Sequence, residues 1–199
     1  FLGSNEFPLL ESIAARGIKV VRLAPHLLEK GTYRERPEGL LAVAKMRKHE
    51  LTDLPEYENM LYLVAETIEK PGNLGSMLRS ADASGTDALI VCERMTDLYN
   101  PNVIRASTGA IFSVPTAVCD NQSAMDYLRS RGVKILAATP HTDFKYTDVD
   151  LTQPVAVVPM LAPMMTPTDW LRAMMPELTR PTSMTVTAEE LWITAVTSA

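Results

Sequence analysis

Cysteine is scarce in this 199-residue chain: Cys92 and Cys119 are the only two, with no CxxC and no Cys/His cluster. A disulfide framework and a structural zinc site are left without ligands, so a reduced, cytoplasmic protein with no metal is expected. Histidine is equally sparse, and His26, His49 and His141 are too scattered in sequence to suggest a metal site. No apolar run reaches the length of a membrane span, and residues 1–20 hold no basic segment followed by an apolar core. A membrane partner is therefore not expected. GxGxxG is absent, which removes the support for an ordinary dinucleotide-binding reading. The chain also opens without methionine; Phe1-Leu2-Gly3-Ser4 reads as the middle of a domain.

What is present suits a folded α/β protein. A hydrophobic content of 46% over 199 residues can bury a substantial core, as one large domain or a large and a small one. The net charge of −5 argues against indiscriminate nucleic-acid binding, but it is unevenly spread. Residues 16–48 hold nine Lys/Arg against three Glu, +6 in that stretch and −11 in the remainder. A basic segment joined to an acidic body fits an RNA-contacting module attached to a catalytic one, and equally a solvated helix surface and linker.

Apolar periodicity places helices at 8–16 and 25–30, stopped by Gly17 and Gly31, and strands at 18–23 and 39–44. A charged stretch closed by Pro55 reads as a linker. From Met60 the alternation becomes regular, with strands at 60–65, 88–92, 111–114, 133–138 and 154–158. Between and after them lie helices at 74–84, 102–108 and 123–131, and a closing helix at 189–196. Short apolar strands alternating with helices imply a mostly parallel sheet covered on both faces.

Within this pattern the stretch Glu66–Gly85, ETIEKPGNLGSMLRSADASG, stands out. A strand end, a glycine-containing loop and a helix N-terminus put free backbone N–H groups where a polar ligand can reach them. Asn73 and Arg79 are the side chains there suited to handling an oxygen. Their six-residue spacing, close to two turns, is expected to put them on nearly the same side of the helix. Asn73 also reads as an N-cap, Arg79 as a solvated surface residue. Downstream, LYNPNVIRASTGAIFSVP (98–115) is dense in small and polar groups. Asn100 reads as an N-cap there, Pro101 as the first helical residue and Gly109 as a C-cap.

Asn73, Gly75 and Arg79 in PGNLGSMLRSADASG resemble the first motif of the SpoU/TrmH family of RNA ribose 2′-O-methyltransferases, and residues 98–115 resemble its second. The resemblance covers about residues 60–140. It implies a Rossmann-like, mostly parallel sheet whose C-terminal segment makes a deep trefoil knot, preceded by part of a small substrate-binding domain. The domains are then 1–45 for that RNA-binding part, 46–56 for the linker and 57–199 for the methyltransferase. Implied too are S-adenosylmethionine as cofactor, ribosomal RNA as substrate and a homodimer. By resemblance, Arg79 stabilises the ribose alkoxide and Asn73 orients it or the substrate. Glu66, Asn102, Arg105 and Ser107 face the RNA, with Arg34 and Arg36 from the small domain. Thr139, Pro140, Val158, Met160, Leu161, Met184 and Thr185 fall where the family holds its cofactor.

One segment departs from the family pattern. A glycine-rich G-[ST]-E-x-x-G loop is expected after the strand at 155–158, but Pro159–Met165 contains neither glycine nor glutamate. Six of the 11 methionines and six of the 14 prolines lie between 154 and 184. Glycines admit close backbone approach to a ligand, and prolines remove N–H donors. A second reading follows: a methyltransferase-like RNA-binding dimer with an impaired or lost cofactor site.

Overall fold

The computed structural model describes residues 6–31, 40–138, 148–159 and 193–196. It divides into two compact units, Phe1–Arg47 and Lys48–Ala199. In the first, α1 (Glu6–Ala15) and α2 (Pro25–Gly31) form where periodicity predicts them. The strands predicted at 18–23 and 39–44 are not formed in the described residues. Val21 is 59% exposed and Val43 94%. A strand needs a hydrogen-bonded neighbour, and a short apolar run carries no information about whether one exists.

The second unit is built on a six-stranded sheet. Its strands are β1 (Leu61–Glu66), β2 (Ala88–Cys92), β3 (Thr116–Cys119), β4 (Lys134–Ala138), β5 (Val155–Pro159) and β6 (Ile193–Val196). They lie in the order β3-β2-β1-β5-β4-β6, all neighbours parallel except the antiparallel pair β4–β6. Alternation along each strand feeds two cores. Tyr62, Val64, Ile90 and Ala117 point to the face covered by α6 (Asn121–Ser130). Ala65, Leu89 and Val91 point to the face covered by α3 (Pro71–Ser84), α4 (Pro101–Ser107) and α5 (Ala110–Ser113). Leu74 and Leu78 of α3 are fully buried there, each contributing about 2 kcal/mol of apolar burial.

Four further elements differ from the sequence reading. Helix α3 begins at Pro71, three residues early, with Lys70 as its N-cap. Proline at the first helical position loses no hydrogen bond, so the Pro-Gly-Asn predicted as a turn is the first turn of helix. Residues 111–114 lie in and just after α5 rather than in a strand, and the strand falls at Thr116–Cys119. Pro115 starts the ladder by accepting the Leu89 N–H at 2.9 Å. Ile193–Val196, predicted as helix, pairs with β4. Its β-branched Ile, Thr and Val suit a strand. Finally, His49–Leu54, read as linker, belong to the second unit. A single 3-10 turn at Leu51–Asp53 packs against β3, and Leu54 is buried.

Helix α6 is started by Asp120, whose carboxylate accepts the Ser123 N–H and hydroxyl, both at 2.7 Å. These bonds hold its carboxyl below the usual carboxylate range. A depressed folded pKa means stability that is full above the unfolded value and is lost as pH falls through the folded one. Asp120→Asn keeps an acceptor but does not titrate. Its melting temperature should therefore stay near the wild type's at pH 7 and fall less steeply toward about pH 3. Thermal melts across that range test this; parallel acid limbs would remove Asp120 as a contributor.

Candidate active site

The two sequence motifs meet because Gly75 has no side chain. A Cβ built there would lie 2.4 Å from the Ala106 Cβ, 2.8 Å from the Ala106 carbonyl carbon and 2.9 Å from the Ser107 nitrogen. Helices α3 and α4 therefore touch backbone to backbone. Arg79 lies one turn beyond Gly75, on the margin of α3 next to α4, and is exposed. Asn73 is exposed as well, in the first turn of α3. The two are about 120° apart around the axis and roughly 9 Å along it, because six residues fall short of two full turns. They mark opposite margins of one solvent face, with Ser76 and Ser80 between them, rather than nearly the same side.

On α4, the Asn100 side chain accepts the Asn102 N–H at 2.9 Å, and Pro101 takes the first helical position, as the sequence predicts. The left-handed C-cap is Thr108, not Gly109, which instead starts α5 at φ +100°. Asn102 and Arg105 are exposed. Among the described residues, nothing bonds to the Arg79 or Arg105 guanidinium, so both charges are available to an anion. Ser107 was expected on the RNA-facing wall and is not there. It is fully buried and donates to the Ile104 carbonyl at 2.8 Å. It shares the inner face of α4 with Val103, one turn back, and that face is turned to α3.

Glu66 ends β1, half-buried, and accepts the Asn121 side-chain N–H at 2.9 Å. Asn121 in turn donates its backbone N–H to Glu93 at 3.1 Å. The carboxyl ends of β1, β2 and β3 are thus laced together by a residue that sequence reasoning missed. The only signal was its place after Asp120, a good N-cap type following an apolar run.

Val158 is buried in β5, beside Ala137 of β4. The register partners Ala138 and Pro159 finish the two strands side by side. Arg34, Arg36, Thr139, Pro140, Met160, Leu161, Met184 and Thr185 lie outside the described residues. Among the described residues, no group of three or more His, Cys, Asp or Glu could hold a metal ion, and no helix is long and apolar enough to cross a membrane.

Comparison with known proteins meets this geometry. The profile of the SpoU rRNA Methylase family matches residues 60–158, the span from β1 to β5. A 23S rRNA (uridine(2479)-2′-O)-methyltransferase from Streptomyces viridochromogenes is 34% identical over 145 residues, covering 69% of this chain and 50% of that protein. The solved SpoU methyltransferase AviRb from the same organism, in complex with the cofactor AdoMet, superposes with a TM-score of 0.66 at 29% identity, covering 76% of this chain and 61% of that one. A solved RNA 2′-O ribose methyltransferase gives a TM-score of 0.68 at 32% identity, covering 93% of this chain and 72% of its own. The chain spans about half the length of the curated relatives it matches. With both motifs on adjoining helices of the matched sheet, the chain belongs to the SpoU rRNA Methylase family.

Proposed function

We propose that this chain carries out S-adenosylmethionine-dependent methylation of a ribose 2′-hydroxyl in ribosomal RNA. The observation that carries the reading is the Gly75 seam, which sets exposed Arg79 beside α4 and its exposed Asn102 and Arg105, with Asn73 on the far margin of the same solvent face of α3. Methylating an alcohol requires stabilising the alkoxide that develops as its proton leaves. A fixed cation at that oxygen supplies this, and an arginine fork also holds a flanking phosphate bidentately. Arg79 takes the hydroxyl, Asn73 orients it, and Arg105 with Asn102 holds the RNA backbone.

The cofactor, when bound, supplies an electrophilic sulfonium methyl. The carboxyl ends of β4 and β5 suit a nucleoside, because ligands of open parallel sheets bind at that edge and Ala138 with Pro159 leaves it small and apolar. Val158 supports this edge from below. Thr139, Pro140, Met160, Leu161, Met184 and Thr185 complete the proposed site. Family membership further supports a cytoplasmic homodimer, a knotted C-terminal segment and a small RNA-binding domain ending near residue 45.

Calorimetric titration of S-adenosylmethionine, followed by transfer of a labelled methyl to ribosomal RNA, tests the proposal. Micromolar binding and a 2′-O-methylnucleoside in the digest are expected, with sedimentation giving twice the chain mass. RNA binding without cofactor binding would overturn the enzyme reading and leave an RNA-binding dimer.

A further inference from the structure

Strand β3 is an edge of the sheet, and an edge leaves backbone groups unpaired unless something covers them. His49 covers this one. Its carbonyl accepts the Val118 N–H at 2.7 Å, and its ring Nδ1 lies 2.8 Å from the Thr116 carbonyl oxygen. A carbonyl can only accept, so Nδ1 carries the hydrogen there. One residue thereby answers two groups of β3, main chain to one and side chain to the other.

The other ring nitrogen is also engaged. Nε2 lies 2.7 Å from the Tyr99 hydroxyl, and with the hydrogen on Nδ1 the neutral ring accepts from Tyr99. The ring centroids are 5.4 Å apart, and the Tyr99 ring packs against the core beneath α3 and α4. Tyr99 directly precedes Asn100, the cap of α4. Its N–H donates to Asp97 at 2.8 Å, and the Asn100 N–H donates to the Asp97 carbonyl at 3.0 Å. The segment that sets where α4 begins is therefore tied through one imidazole to the edge of the sheet.

We infer that His49 is a positioning residue for RNA: its bond to Tyr99 fixes the start of α4 and with it Asn102 and Arg105. This rests on the reading of α4 as an RNA-holding helix. The bond to Thr116 serves stability, and the bond to Tyr99 serves substrate. The two are separable, because an asparagine amide reaches about as far as Nδ1 and a glutamine amide about as far as Nε2.

The experiment measures RNA affinity, S-adenosylmethionine affinity, melting temperature and hydrogen exchange at residues 102–105 in the full chain. His49→Asn and Tyr99→Phe should each weaken RNA binding about five- to tenfold and speed exchange at the start of α4, with cofactor affinity unchanged. His49→Gln should keep RNA affinity within about twofold while its melting temperature drops. The reverse pattern, or RNA affinity and melting temperature falling together in all three variants, overturns the inference. So does wild-type RNA affinity and exchange in His49→Asn. A wild-type chain that binds RNA without methylating it overturns the enzyme reading alone, since affinity and exchange still report on His49. A wild-type chain that binds no RNA overturns both.

Discussion

Arg79→Ala should lower methyl transfer by about a thousandfold while leaving S-adenosylmethionine affinity within about threefold of wild type. Removing one preorganised donor from a developing oxyanion costs on that scale, because no reorganisation by water replaces it at the moment of reaction. Folding should be nearly untouched: Arg79 is exposed, and among the described residues nothing bonds to its guanidinium. Arg79→Lys separates charge from geometry. A lysine keeps the positive charge but is a point donor on a flexible stem, so it should recover only a small part of the rate. Single-turnover assays at saturating RNA and cofactor make the comparison, with melting curves as the folding control. A variant that keeps a tenth or more of the wild-type rate would move the alkoxide-stabilising role to another residue.

The parts legible in the sequence were those with local signals. Strands β1, β2, β4 and β5 were readable from apolar runs, and α6 from its period. Asn100 and Pro101 announced α4 by chemistry that acts within a few residues. What failed depended on partners distant in the chain. Ile193–Val196 is a strand because it pairs with β4, whereas among the described residues 18–23 has no strand partner. His49, Glu66 and Asn121 show the same limit in the site. Each makes a bond to a residue more than 45 positions away, and no spacing rule reaches that far. Ser107 fell inside α4 for a geometric reason: only one face of a short helix can be solvent, and Val103 had already claimed the other.

Among the described glycines, Gly75 is the one where an added methyl group meets the closest contacts, and Gly75→Ala should be strongly damaging. In an open helix the change would stabilise by about 1 kcal/mol, since alanine is the better helix former. Here the new Cβ meets the Ala106 Cβ at 2.4 Å and two backbone atoms of α4 at 2.8 and 2.9 Å. Backbone cannot swing aside as a flexible side chain can, so α3 and α4 must separate. Overpacking of this kind costs about 1–3 kcal/mol or more, which exceeds the propensity gain. The melting temperature should fall by several degrees. Methylation should fall further than stability does, because a shift of about 1 Å between reacting groups can cost about a hundredfold. Gly72→Ala is the control: it lies in the same helix, with nothing within 4 Å of the added carbon. It should melt at or slightly above wild type and leave the rate near wild type. Ala106→Gly in the Gly75→Ala background removes the closest contact but not the two backbone ones, so rescue should be partial. If Gly75→Ala melts and methylates like Gly72→Ala, the helices do not touch at Gly75, and the route by which the two motifs meet must be another.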